Sequence, residues 1–166
     1  VIEFVTVASE YCGFAEKPDR YNRKDFIDKS QKLLALIYLK ASLLPGAEPV
    51  FDSGNEKFVT EQDWFRVQDR ISVRLGDYDH FIKVGDPIMQ FSDDTVSVSI
   101  SEIFADIYQD LTDFISLYRV GAVEIMNDAL WECRLNFEQY WGQRLLGALS
   151  ALHTINFGRE DPDGEE

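Results

Sequence analysis

Four carboxylates, Glu102, Asp106, Asp110 and Asp113, recur at intervals of four, four and three residues. On a helix each interval is about one turn, so all four share one side. Like charges one turn apart repel, and such a stripe demands compensation. A divalent cation is one source, since Mg²⁺ and Mn²⁺ prefer oxygen ligands. A basic helix face carrying Lys29, Lys32 and Lys40 is a second. Water and salt are the third and simplest, and the favoured reading is a solvated, partly salt-bridged face. Glu124 and Asp128, also one turn apart, would face the stripe across a turn at Gly121.

Carboxylates paired across adjacent helices are similar to those with which all-α nucleotide pyrophosphohydrolases hold Mg²⁺. That similarity implies, as the alternative reading, a Mg²⁺- or Mn²⁺-dependent hydrolase using Asp106, Asp110, Asp113, Glu124 and Asp128 as metal ligands. Those enzymes use Glu-x-x-Glu or Glu-x-x-Asp pairs. Here the three-residue interval joins Asp110 to Asp113 and the other intervals are longer, a departure from the pattern. Di-iron bundles want Glu-x-x-His, and neither His80 nor His153 is so placed.

Aromatic residues form the second grouping. Phe137, Tyr140 and Trp141 share one helix face at three-four spacing and read as core. Trp131 and Leu135 lie off that face, beside Glu132 and Glu138; apolar residues rimmed by charge mark protein interfaces. His153, near a helix C-terminus, is explained by the helix dipole. His80 follows Asp77-Tyr78-Asp79 and could pair with a carboxylate. No phosphate-binding loop, dinucleotide fingerprint or nucleophile elbow is present in the sequence.

The 166 residues carry 16 basic against 30 acidic side chains, a net charge of −14. Such a field repels phosphate backbones and anionic membranes, so no nucleic-acid or membrane partner is expected. A basic protein partner suits it. With 45% hydrophobic residues the chain can build a core. Cys12 and Cys133 sit in helical apolar patterns and read as buried thiols. A disulfide between them would be odd in a reducing compartment, and no cluster has zinc spacing. No run of eighteen apolar residues and no signal peptide is visible, and a cytoplasmic setting is expected. The chain opens on Val1, so a removed leader would leave no trace.

Periodicity supplies the elements that would position these residues. Helices are expected over 1–17, ended by Pro18, and over 24–44, ended by Pro45-Gly46. A loop spans 46–59. Thr60 opens a third helix with Asp63 in the capping-box position, and Gly76 stops it. Residues 77–98 are the least legible. Asp77 to Phe81 reads as a short helical turn, Pro87 and Asp93-Asp94 as loop. Val96, Val98 and Ile100 alternate with polar residues, but a lone strand has no evident partner, so an extended connector is expected. Ser99 to Glu102 forms a capping box for a helix ending at Gly121. The last helix runs from about 122 to 155, with a kink at Gly142 or Gly147. Residues 158–166 read as a flexible acidic tail.

The expected fold is therefore an all-α, single-domain bundle of five to six helices over residues 1–157, with a long C-terminal helix. Three stretches, LIYLKASLLP (36–45), DIYQDLTDF (106–114) and YWGQRLLGALSALH (140–153), in that order resemble an uncharacterised bacterial family, domain of unknown function 5063. The resemblance covers most of the chain. It implies an all-helical fold and a bacterial cytoplasmic origin, but no activity, cofactor or site residue. The leading functional expectation is a non-enzymatic interaction or scaffold module. Its acidic surface would meet a basic partner, as acidic immunity or antitoxin-like proteins do, and its long helix would support a homodimer. No cofactor is expected beyond a possible divalent cation.

Overall fold

The structure is a computed structural model and describes residues 1–82, 97–159 and 161–164. Helix α1 (Ile2–Glu16) is followed by a 3₁₀ turn at Pro18–Arg20 and by α2 (Arg23–Ser42). After a long loop come α3 (Glu61–Leu75), a second 3₁₀ turn (Gly76–Asp79) and strand β1 (His80–Ile82). Strand β2 (Ser97–Ser99) leads into α4 (Ile100–Val120). Then α5 (Val123–Asn136), a π turn (Phe137–Trp141) and α6 (Gly142–Asn156) make one nearly uninterrupted rod.

The caps follow the residue chemistry. Asn22 accepts from the Asp25 N–H at 2.8 Å at the start of α2. Thr60 and Asp63 cap α3 reciprocally, each at 3.1 Å. Gly121 ends α4 in the left-handed region at φ 83°, a conformation glycine adopts without a Cβ clash. At Gly76 (φ 58°) an added Cβ would meet Arg23 Nη2 at 2.7 Å. That approach lets Arg23 Nε donate to the Arg74 carbonyl at the end of α3, at 2.9 Å.

Helix α4 is the centre of the fold. Twelve of its 21 residues are buried, and it packs against α1, α3 and α5, while α2 packs on α1 and α6. Aromatic rings fill the α1–α2–α4 junction: Tyr11 stacks on Phe104 (5.4 Å), and Phe14 stacks on Phe26 (4.9 Å). Such pairs add about 0.5–1.5 kcal/mol each beyond area burial.

Two sequence expectations change here. Residues 97–99 do have a partner: β2 pairs antiparallel with β1, with Phe81 opposite Val98. Only Asp77–Asp79 of the expected helical turn is helical. Val96, Pro87 and Asp93-Asp94 lie outside the described residues. Asp79 is the reason the pair closes where it does. It is 1% exposed and accepts from the Ser101 N–H and hydroxyl (2.7 Å each) and from the Ser99 hydroxyl (3.0 Å). It thereby ties β1 to the first turn of α4. Near the C-terminus, Arg23 donates to the Pro162 carbonyl at 3.4 Å, and Asp163 accepts from the Lys24 N–H at 3.2 Å.

Candidate functional site

The acidic stripe on α4 is a hydrogen-bonded seam. Glu102, at its start, is exposed. Asp106 accepts from Trp64 Nε1 of α3 (2.9 Å), from the Tyr140 hydroxyl (3.0 Å) and from Arg144 (3.0 Å). Arg144 also donates to the Tyr140 hydroxyl and lies over its ring. One turn on, Asp110 accepts from Asn136 Nδ2 (2.8 Å) and Trp141 Nε1 (2.7 Å), at the two ends of the π turn. Burial pushes the Asp110 carboxyl up to about 6, although these N–H donors oppose the shift. The repulsion expected along the stripe is thus met at Asp106 and Asp110 by N–H and O–H donors, each carboxylate holding different neighbours. The lysines expected to neutralise it lie elsewhere: Lys32 pairs with Asp28, Lys40 with Glu3, and Lys29 sits over the Tyr21 ring.

The loop from Leu43 to Thr60 is held by the next two carboxylates. Asp113, 6% exposed, accepts from the consecutive N–H groups of Phe58 (2.8 Å) and Val59 (3.0 Å). Asp128 on α5, 4% exposed, accepts from Val50 (2.7 Å) and Phe51 (2.9 Å). The Val50 N–H, followed by burial opposing it, sets the Asp128 carboxyl below its ordinary range. Between the two anchors Asn55 bridges the Asp128 carbonyl and the Glu132 carboxylate, and Lys57 pairs with Glu132. The backbone is pinned, yet the side chains it presents are apolar and open to solvent. Val50 is 55% exposed, Phe51 49% and Phe58 40%, with Phe65 of α3 at 53%. Asp52, Glu56 and Glu61 lie in and beside the same loop, all exposed.

Glu124, the remaining sequence-predicted ligand, is exposed in the first turn of α5, where a carboxylate favours the helix N-terminus. Among the described residues, no group of three or more His, Cys, Asp or Glu side chains is arranged to hold a metal ion. Asp106, Asp110, Asp113 and Asp128 each have carboxylate oxygens already taken by N–H or O–H donors.

The family described as Domain of unknown function (DUF5063) matches residues 1–158. The chain belongs to that family. Its fold is similar to the crystal structure of protein BF1032 from Bacteroides fragilis, at 38% sequence identity and a TM-score of 0.85, over 96% of this chain and 94% of that one. Among curated proteins none matches.

The other candidates of this DUF5063 chain fall in several places. Trp131 and Leu135 are half-buried and line a groove of about 450 Å³ with Gly46, Ala47 and Glu48 at the base of the pinned loop. Phe137 and Trp141 are buried and meet edge-on at 4.9 Å. Tyr140 departs from the core reading: it is 49% exposed and faces Asp106, and its hydroxyl is pushed up by desolvation and by that carboxylate. His80 is exposed on β1; its neighbour Asp79 is taken by Ser99 and Ser101. His153 lies against the Phe157 ring at 4.8 Å. Cys12 and Cys133 are buried and free; burial pushes the Cys12 thiol up to about 12 and that of Cys133 well up. Sequence reasoning missed the loop anchors and Asp79, because nothing local marks which backbone N–H a distant carboxylate will meet.

Proposed function

We propose that this domain is a non-enzymatic protein-interaction module whose binding surface is the pinned loop 43–60 with Phe65. The observation that carries the reading is the pairing of a fixed backbone with exposed apolar side chains. Large exposed apolar groups cost solvation and promote association. A loop held by two buried carboxylates presents them with little ordering entropy left to lose on binding. Acidic side chains around Val50, Phe51 and Phe58 match a partner that places basic groups around an apolar patch. The groove floored by Trp131 and Leu135 continues this surface at the loop base. The long C-terminal helix buries Phe137, Trp141, Leu145, Ala148 and Leu152 within one copy, so these side chains are not free to pair with a second copy. The working compartment is taken as the cytoplasm, a reading supported by two free thiols. No described helix is long and apolar enough to cross a membrane.

The test compares the wild-type chain with Phe51→Ser/Phe58→Ser as bait, at low and high salt, with quantitative mass spectrometry. A basic protein retained by the wild type, lost with the double variant and weakened by salt supports the reading. Retention indifferent to both substitutions overturns it. Thermal unfolding in EDTA and in millimolar Mg²⁺ or Mn²⁺ supplies a second check. A rise specific to one ion and absent in Asp110→Asn would replace this reading with the hydrolase alternative.

A further inference from the structure

A second surface has the opposite charge. Five of the chain's 16 cations lie between residues 20 and 32. Three of them, Arg20, Lys29 and Lys32, join Lys17 in lining a groove of about 520 Å³ between the end of α1 and the first half of α2. Its apolar lining comes from Phe14, Tyr21, Leu33 and Leu36, the last 40% exposed. Among the described residues Lys17 and Arg20 have no ion-pair partner, while Lys29 lies over the Tyr21 ring, 5.5 Å from its centroid, and its charge also reaches Asp28. Lys32 pairs with Asp28 at the surface, with its side chain 73% exposed. Two carboxylates also border the groove. Glu16 is occupied by the Tyr108 hydroxyl at 2.8 Å, and Glu10 stands on the α1 side.

In a molecule of net charge −14, unpaired cations gathered over an apolar floor have no internal role to explain them. We infer that this groove docks an acidic peptide segment of a protein partner. Partner carboxylates meet Lys17, Arg20 and Lys29, and an apolar partner side chain rests on Leu33 and Leu36. The apolar floor favours a peptide over a bare inorganic anion, which offers nothing to bury. The long-range negative field disfavours a polyanion such as a nucleic acid, whereas a short acidic segment feels mainly the local cations within a Debye length of about 8–10 Å.

This site is separate from the acidic loop and selects for the opposite charge, so one experiment tests both. The full-length chain is used to select binders from a random-peptide display library, and enriched peptides are synthesised and titrated against three proteins: wild type, Lys17→Glu/Arg20→Glu and Phe51→Ser/Phe58→Ser. The expected result is enrichment of peptides combining Asp or Glu with Phe, Leu or Ile. Their affinity falls by roughly tenfold or more in the charge-reversed variant, weakens with added salt and is unchanged in the loop variant. Both substituted cations are exposed, so the variant is expected to keep the wild-type melting temperature, checked by circular dichroism. No enrichment of acidic peptides, or acidic peptides indifferent to Lys17→Glu/Arg20→Glu, overturns the inference. Basic apolar peptides lost only in the loop variant would support the loop reading while the groove inference fails, which keeps the two outcomes apart.

Discussion

Asp113 holds two consecutive loop N–H groups with a side chain that is 6% exposed. Replacing it with Ala leaves both donors without an acceptor at a site closed to water. A cost of about 2–3 kcal/mol is expected, the range for losing hydrogen bonds to a charged group. Limited proteolysis should then cut within 43–60 faster than in the wild type; equal cutting rates would show that the anchor does not fix the loop. Asp110 acts in the other direction. Its folded-state carboxyl titrates at about 6 because it is buried, above the unfolded value near 3.9. The folded state therefore binds the extra proton between these values. The resulting stability is fully present below about pH 4 and is lost as pH rises through 6. A difference of that size between the folded and unfolded carboxyl corresponds to about 3 kcal/mol. The wild-type minus Asp110→Asn difference in unfolding free energy should grow toward that figure between pH 7 and pH 4. A flat difference across that window would remove Asp110 as the titrating group.

Among the elements, the rod formed by α5 and α6 carries the clearest steric constraint. An added Cβ at Gly142 would sit 2.5 Å from the Phe137 carbonyl oxygen and 2.9 Å from its ring. The π turn, held by Asp110 through Asn136 and Trp141, needs that space. Gly142→Ala is therefore expected to destabilise by about 1–3 kcal/mol, the cost of overpacking. Gly13→Ala in α1, where nothing lies within 4 Å of the added atom, should stabilise by about 0.5–1 kcal/mol. Chemical denaturation of the pair separates crowding from helix propensity. Glycine in a helical pattern made Gly142 a candidate in the sequence. Gly147 carried the same signal, yet α6 runs through it unbroken, because what matters is the Phe137 ring and carbonyl, not the glycine alone. The same division holds elsewhere. Capping residues Thr60, Ser99, Gly76 and Gly121 and the buried stripe of α4 were legible, since they depend on neighbours within one or two turns. The β1–β2 pair, the seam and the loop anchors were not, since Asp79 to Ser101, Asp106 to Arg144 and Asp128 to Val50 join residues far apart in sequence.

For the whole molecule, charge decides how salt acts. Thirty acidic side chains face 16 basic ones, and the six ion pairs among the described residues join mostly exposed partners. Exposed pairs of this kind contribute about 0–1 kcal/mol each. The unpaired acidic excess repels itself across the surface. Salt screens both, but the repulsion involves more charges, so net stability should rise as NaCl increases from about 0.05 to 0.5 M, where the Debye length shrinks from beyond 10 Å toward 4 Å. Binding should move the opposite way, because the acidic loop with a basic partner and the basic groove with an acidic peptide each rely on unlike charges meeting across an interface. Parallel salt titrations of unfolding and of binding distinguish these effects. Stability and affinity that fall together would mean that internal ion pairs hold the fold against its charge. Stability that rises while affinity falls is the signature of a molecule whose surface charge serves association at the expense of its own compaction.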